Sequence, residues 1–172
     1  MSDHRIYVAC LAAYNAGRLH GAWIDVDPDD PDALHQAIAA MLAASPIAGA
    51  EEWAIHDYEM GGLKVHEHEE LSDVLAMARL LDEHGELVGM LARSYSDQLS
   101  DIARMAPHYL GAFDRLADWA EQWLEDTGSL DEVPERWRPY LDFDAWARDA
   151  ELNGDVIAVE DGGRVHVFEG SP

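Results

Sequence analysis

Two clusters in this chain have the composition of ligand sets: residues 66–70 read HEHEE and residues 25–30 read DVDPDD. His66 and His68 stand at i,i+2, a spacing at which both could face one metal ion only on a strand or loop. There is no C-x-x-C, no H-E-x-x-H and no third ligand at a telling interval, so a solvated acidic turn before a helix is the expected reading. DVDPDD opens like a calcium loop. The sixth and twelfth positions of such a loop require Gly and Glu, and here they are Asp30 and Gln36. A strand end followed by a helix cap accounts for the segment. Cys10 with His4 or His20 would make a thiol–imidazole pair, but Cys10 lies in an apolar stretch, where an inert buried thiol is expected. Gly-rich phosphate loops and G-x-S-x-G are absent. These residues predict no catalytic group, no cofactor and no metal.

The carboxylates themselves stand above background. The chain carries 35 Asp and Glu against 11 Lys and Arg, a formal net charge of −24, and a single lysine, Lys64. A hydrophobic fraction of 48%, with six Trp and six Tyr, predicts a folded protein rather than a disordered acidic chain. The helix LADWAEQWLEDTG, residues 116–128, concentrates the bias. Helical spacing puts Asp118, Glu121 and Glu125 on one face, with Asp126 at its edge, and Leu116, Trp119, Ala120, Trp123 and Leu124 on a core face. The segment has no internal basic partner, and Asp126 falls where the helix dipole disfavours an anion. Further acids recur along the chain: Asp25, Asp27, Asp29 and Asp30; Glu51 and Glu52; Glu67, Glu69, Glu70 and Asp73; Asp82, Glu83 and Glu86. Such a field opposes nucleic acid and anionic membrane as partners and favours a basic protein.

Spacing sets these acids beside DNA. Successive carboxylates at 118, 121 and 125 rise by roughly 4.5 and 6 Å along a helix axis, the same order as the roughly 3.4 Å between phosphates along one DNA strand. A charge of −24 equals that of roughly 12 base pairs. The partner-binding acids are therefore expected to stand in for phosphates.

The elements that must position them read as α+β in three small domains. A strand over residues 5–15, its hairpin partner over 19–26, a helix over 31–44 capped by Asp30 and a strand over 51–59 form an N-terminal ββαβ domain, 1–61. The helix stripe is Ala33, Leu34, Ala37, Ile38, Met41 and Leu42. MGG at 60–62 reads as a boundary, and a central helical bundle follows over 62–104, with Leu71, Val74, Leu75, Ala78 and Leu81 as its first stripe and Leu87, Met90 and Leu91 as its second. The C-terminal α+β domain, 105–172, holds a short strand at HYLGAFD, the acidic helix with Gly128 as its stop, a second helix capped by Asp142, and a Gly-turn hairpin at the end. The N-terminus lacks the form of a signal peptide, Cys10 has no disulfide partner, and no apolar run is long enough to span a membrane, which predicts a cytoplasmic protein.

The blocks IYVACLAAYNAGRLHGAWIDV, EEWAIHDYE, LDEHGEL, DWAEQWLEDTG and YLDFDAWARDAELNGDVIAV…GGRVHVFEG resemble the ArdA antirestriction proteins. The likeness runs in order from residue 5 to about residue 169, and LHGAWID and DFDAWARD are its most specific signals. The resemblance implies an elongated, three-domain α+β molecule that dimerises mainly through its C-terminal domain. It implies a DNA mimic that occupies the DNA channel of type I restriction–modification enzymes, formed by specificity and modification subunits, and so protects incoming mobile DNA. It implies no catalysis and no cofactor. The family's short antirestriction motif aligns with residues 116–128, which assigns Asp118, Glu121, Glu125 and Asp126 to partner binding, with Trp119 and Trp123 supporting them. Trp123 stands where the family often has Phe or Leu. Two other readings are an acidic module for a different basic DNA-binding protein, and a metal-dependent hydrolase built on the histidine-rich turn.

Overall fold

The computed structural model describes residues 4–170. The chain divides into two compact units, Met1–Arg93 and Ser94–Pro172. Each is a mix of helices around one small three-stranded antiparallel sheet.

In the first unit the strands β1 (Arg5–Cys10), β2 (Gly21–Asp25) and β3 (Trp53–Glu59) lie in the order β2-β1-β3. The predicted strand over 5–15 is cut short. It ends at Cys10, and Leu11–Asn15 wind into the short helix α1. The Leu11 N–H still donates to the Glu52 carbonyl at 3.0 Å, one step beyond Cys10–Trp53 in the β1–β3 register, before Ala13 turns into the core. β3 carries a bulge: Tyr7 pairs with Asp57 and Val8 with Ile55, so His56 is the extra residue. Beyond the bulge Ala54 and Ile55, paired in register with Ala9 and Val8, are both buried, as are those two partners. Helix α2 (Pro31–Ala43) packs on β1 and β2. Asp30 caps it, accepting from the Ala33 N–H at 3.0 Å, with Pro31 at the first helical position. Its stripe narrows to Leu34, Ile38 and Met41, while Ala33 is exposed.

Helices α3 (Leu71–His84) and α4 (Glu86–Ser94) follow. Val74, Ala78 and Leu81 of the predicted stripe are buried, joined by Met77 and Leu80. Gly61 and Gly62 form a tight contact: a Cβ on Gly89 of α4 would run into the Gly61 carbonyl, and one on Gly61 would run into Leu81. Met60, Leu63 and Val65 on either side of the glycines are buried. α3 and most of α4 fall in the first unit and α5 (Leu99–Met105) in the second.

The second unit orders β4 (Tyr109–Phe113), β5 (Val156–Asp161) and β6 (Arg164–Glu169) as β4-β6-β5. β5 and β6 form the predicted hairpin, turned by Gly162 and Gly163 in the left-handed region. Helices α6 (Leu116–Asp126) and α7 (Phe143–Asn153) pack together and close a core of Trp119, Ala120, Ala147, Ala150, Val156 and Val167. The alanines let the two helices approach. Asp142 caps α7 through the Ala145 N–H at 2.9 Å. Gly128, at φ 72°, ends α6 as predicted. No described helix is long and apolar enough to cross a membrane.

Candidate protein-interaction surface

An ionised carboxylate is stable only in water or beside a partner. Among the described residues no charged or polar side chain is buried, so their acids all stand at the surface. Most of the few cations are drawn into pairs with them. Arg5 on β1 donates to Glu59 on β3 at 2.7 and 2.8 Å, a bidentate bond between residues directly opposed in the sheet. That bond holds the Glu59 carboxyl below its ordinary pKa and raises Arg5. Arg104, Arg138, Arg148 and Arg164 pair with Asp101, Asp131, Asp149 and Asp114.

The acids predicted as phosphate mimics fall into three places. Around the turn after β2, the Asp27 carboxylate accepts from the Asp29 N–H at 2.9 Å while Asp30 caps α2. Arg79 of α3 donates to the Pro28 carbonyl at 2.7 Å and lies 3.2 Å from Asp29, and His4 meets Asp82 at 3.1 Å. The end of α3 and the 25–30 turn therefore share one edge, and their segments gather Asp25, Asp27, Asp29, Asp30, Asp82 and Glu83, all exposed. Beside β3, the Ile55 N–H donates to the Glu67 carbonyl at 2.9 Å, which brings in Glu67, Glu69 and Glu70 ahead of α3. Glu69 is half-buried and accepts from the His66 N–H at 3.0 Å. Glu51, Glu52, Asp73 and Glu86 are exposed.

The third place is α6. Asp118 is not unpartnered. Its carboxylate accepts the Arg115 N–H at 3.0 Å and the Arg115 guanidinium at 2.8 Å, closing the helix N-terminus, and the same guanidinium lies 3.6 Å from Asp144. Arg115 is raised in pKa, first by that side-chain bond. Glu121 and Glu125 are exposed and make no ion pair among the described residues; Asp126 has only the Gln122 amide, at 3.4 Å.

The other clusters do not assemble. No group of three or more His, Cys, Asp or Glu among the described residues could hold a metal. His20 bonds the Met41 carbonyl and His4 meets Asp82, so neither serves Cys10, which is buried 3.3 Å from the Ser45 hydroxyl. Burial raises the Cys10 pKa; the bonds from Ser45 and from the Ala13 and Ala12 backbone outweigh it, and the net shift is downward.

A surface with most of its cations paired internally and its acids outward is suited to meet basic groups. The family described as antirestriction protein (ArdA) matches residues 6–165. The chain belongs to the ArdA family. Membership carries antirestriction function in general, and with it interaction with restriction–modification enzymes. No curated protein matches the chain.

Within this ArdA chain one predicted role changes. Trp119 is buried, but Trp123 is 41% exposed. The α7 residue Trp146, not singled out from sequence, stacks on both, at 5.5 Å from Trp119 and 5.2 Å from Trp123. Two helical turns of α6 thus offer a single tryptophan of α7 two faces, and Trp123 is left at the rim. The Arg115–Asp118 cap was open to discovery, because the arginine stands one residue before the acidic segment at the i,i+3 spacing of a capping box. Nothing local in FDAWARD announced the stack.

Proposed function

We propose that this chain is an acidic DNA mimic that occupies the DNA-binding channel of a type I restriction–modification enzyme and blocks restriction by occupancy rather than by chemistry. It acts as a homodimer in the cytoplasm of a cell receiving mobile DNA. The observation that supports this most directly is the surface placement of the described acids in an ArdA-family chain of net charge −24. A fixed carboxylate surface loses little conformational entropy when it docks, which favours it over a flexible acidic tail.

Binding to a purified specificity–modification complex, measured with and without unmodified duplex DNA, tests the reading. DNA and this protein should exclude one another, and affinity should fall steadily as salt rises. Simultaneous binding of both, or an affinity indifferent to salt, rejects the mimic.

A further inference from the structure

Two features of α6 run against local stability: Trp123 stays 41% exposed, and Asp126 places an anion at the helix C-terminus with no cation beside it. They meet at one place. A pocket of about 590 Å³ opens in the second unit. Its apolar wall is Trp123, Trp146, Phe113 and Leu110; its acids are Asp126, Asp155 and Glu169. Val156 opposes Glu169 across the β5–β6 ladder, and the Gly170 N–H donates to the Asp155 carbonyl at 2.8 Å, so Asp155 and Glu169 are held at the same end of the sheet. Glu169 has only His108, at 3.4 Å, and no Lys or Arg lines the pocket.

We infer that this pocket receives one arginine side chain of the basic partner. The inference rests on the DNA-mimic reading for the partner's identity. Trp123, stacked on Trp146 on one side and 41% exposed, with carboxylates beside it, suits a guanidinium in both of its modes, stacking over a ring and offering a fork of N–H donors to carboxylates. An ammonium would use the charge but not the plane, and an apolar side chain would leave three carboxylates facing it. A few aromatic and arginine contacts in a field of weaker charge contacts are also how interfaces concentrate affinity. The protein would then hold its partner by a distributed charge surface plus one localised socket.

The test has two arms, both on the full chain. In the first, N-acetyl-arginine amide is titrated while the indole N–H resonances of Trp123 and Trp146 are followed by NMR. They should shift saturably in the millimolar range; the lysine amide should act more weakly and the uncharged citrulline amide should not act. Equal shifts with citrulline amide, or none with the arginine amide, overturn the socket. In the second arm, Trp123→Leu and Asp126→Asn are compared with wild type for binding to the specificity–modification complex, with circular dichroism confirming each fold. Each should lower affinity at least tenfold, against the severalfold expected of one acid in a distributed field. Affinities kept within severalfold overturn the socket and leave the mimic standing. If Trp123→Leu instead reduces the sedimenting mass, a second copy fills the pocket and the inference falls. If wild type fails to bind the enzyme at all, the mimic reading fails by itself, and the amide titration still decides the pocket.

Discussion

Asp118 and Glu121 lie on one face of one helix and do different work. Asp118 closes the N-terminus of α6 with Arg115, whereas Glu121 only adds charge. Asp118→Ala should therefore destabilise the fold by about 1 kcal/mol, the scale of a lost cap, and Glu121→Gln should stay within about 0.5 kcal/mol. Urea denaturation of the two variants separates them, and equal midpoints would contradict the cap. Glu59 gives a pH-dependent counterpart. Arg5 holds its folded pKa below the ordinary carboxylate value. Its contribution is thus fully present above the unfolded pKa, about 4.3, and is lost as pH falls through the folded pKa. Glu59→Gln should be less stable than wild type at neutral pH, and the gap should close in acid. The sequence displayed every one of these acids but not which were occupied at home, because an ion pair across a sheet, such as Arg5 with Glu59, depends on register rather than on spacing.

At the scale of elements, periodicity located most helices and strands. Capping chemistry set their starts: Asp30 and Asp142 behave as the sequence indicates. It failed where a tertiary contact decided. Leu11–Asn15 continue an apolar run that a strand would suit, yet they wind into α1 directly after the β1–β3 pairing, with Ala13 buried. Trp119 and Trp123 share a helix face, but α7 covers only the first, and no local pattern in α6 could report where α7 ends its cover. Gly61 and Gly62 read as a boundary in the sequence, and in the fold they pack against Leu81 of α3 and Gly89 of α4. Gly89→Ala should cost about 1–3 kcal/mol by overpacking, despite alanine's better helix propensity; a stabilised variant in thermal denaturation would reject that contact. Trp146→Ala removes the shared partner of two stacked indoles and should cost about 2–4 kcal/mol, below the full-burial range because Trp146 is only half-buried.

For the whole molecule, charge is the property that counts, and it was fully legible in composition. What composition could not supply is direction: a core without charged side chains puts the described acids outward. On the proposed mechanism no single surface acid is indispensable. Glu121→Gln and Glu125→Gln should each weaken inhibition only slightly, within about 1 kcal/mol. Adding neutralisation of Asp25, Asp27, Glu67 and Glu70 should erode it progressively while circular dichroism stays unchanged. The measurement is cleavage of unmodified DNA against inhibitor concentration, and loss of all inhibition from either of those two single changes would contradict a distributed surface.

That charge-free core has a consequence for how the molecule answers its medium. With no buried ion pair among the described residues, the main electrostatic burden on the folded state is mutual repulsion among surface carboxylates, which dissolved cations relieve. Added salt should thus raise the melting temperature of the free protein over the same range in which it loosens the complex with the restriction enzyme. Stability and grip then carry opposite signs of salt dependence. A melting temperature that fell in step with affinity would place the strain somewhere other than the surface. If the opposite slopes hold, potassium and the enzyme's arginines are rival counterions for one polyanion, and the free protein is the strained partner that binding relaxes.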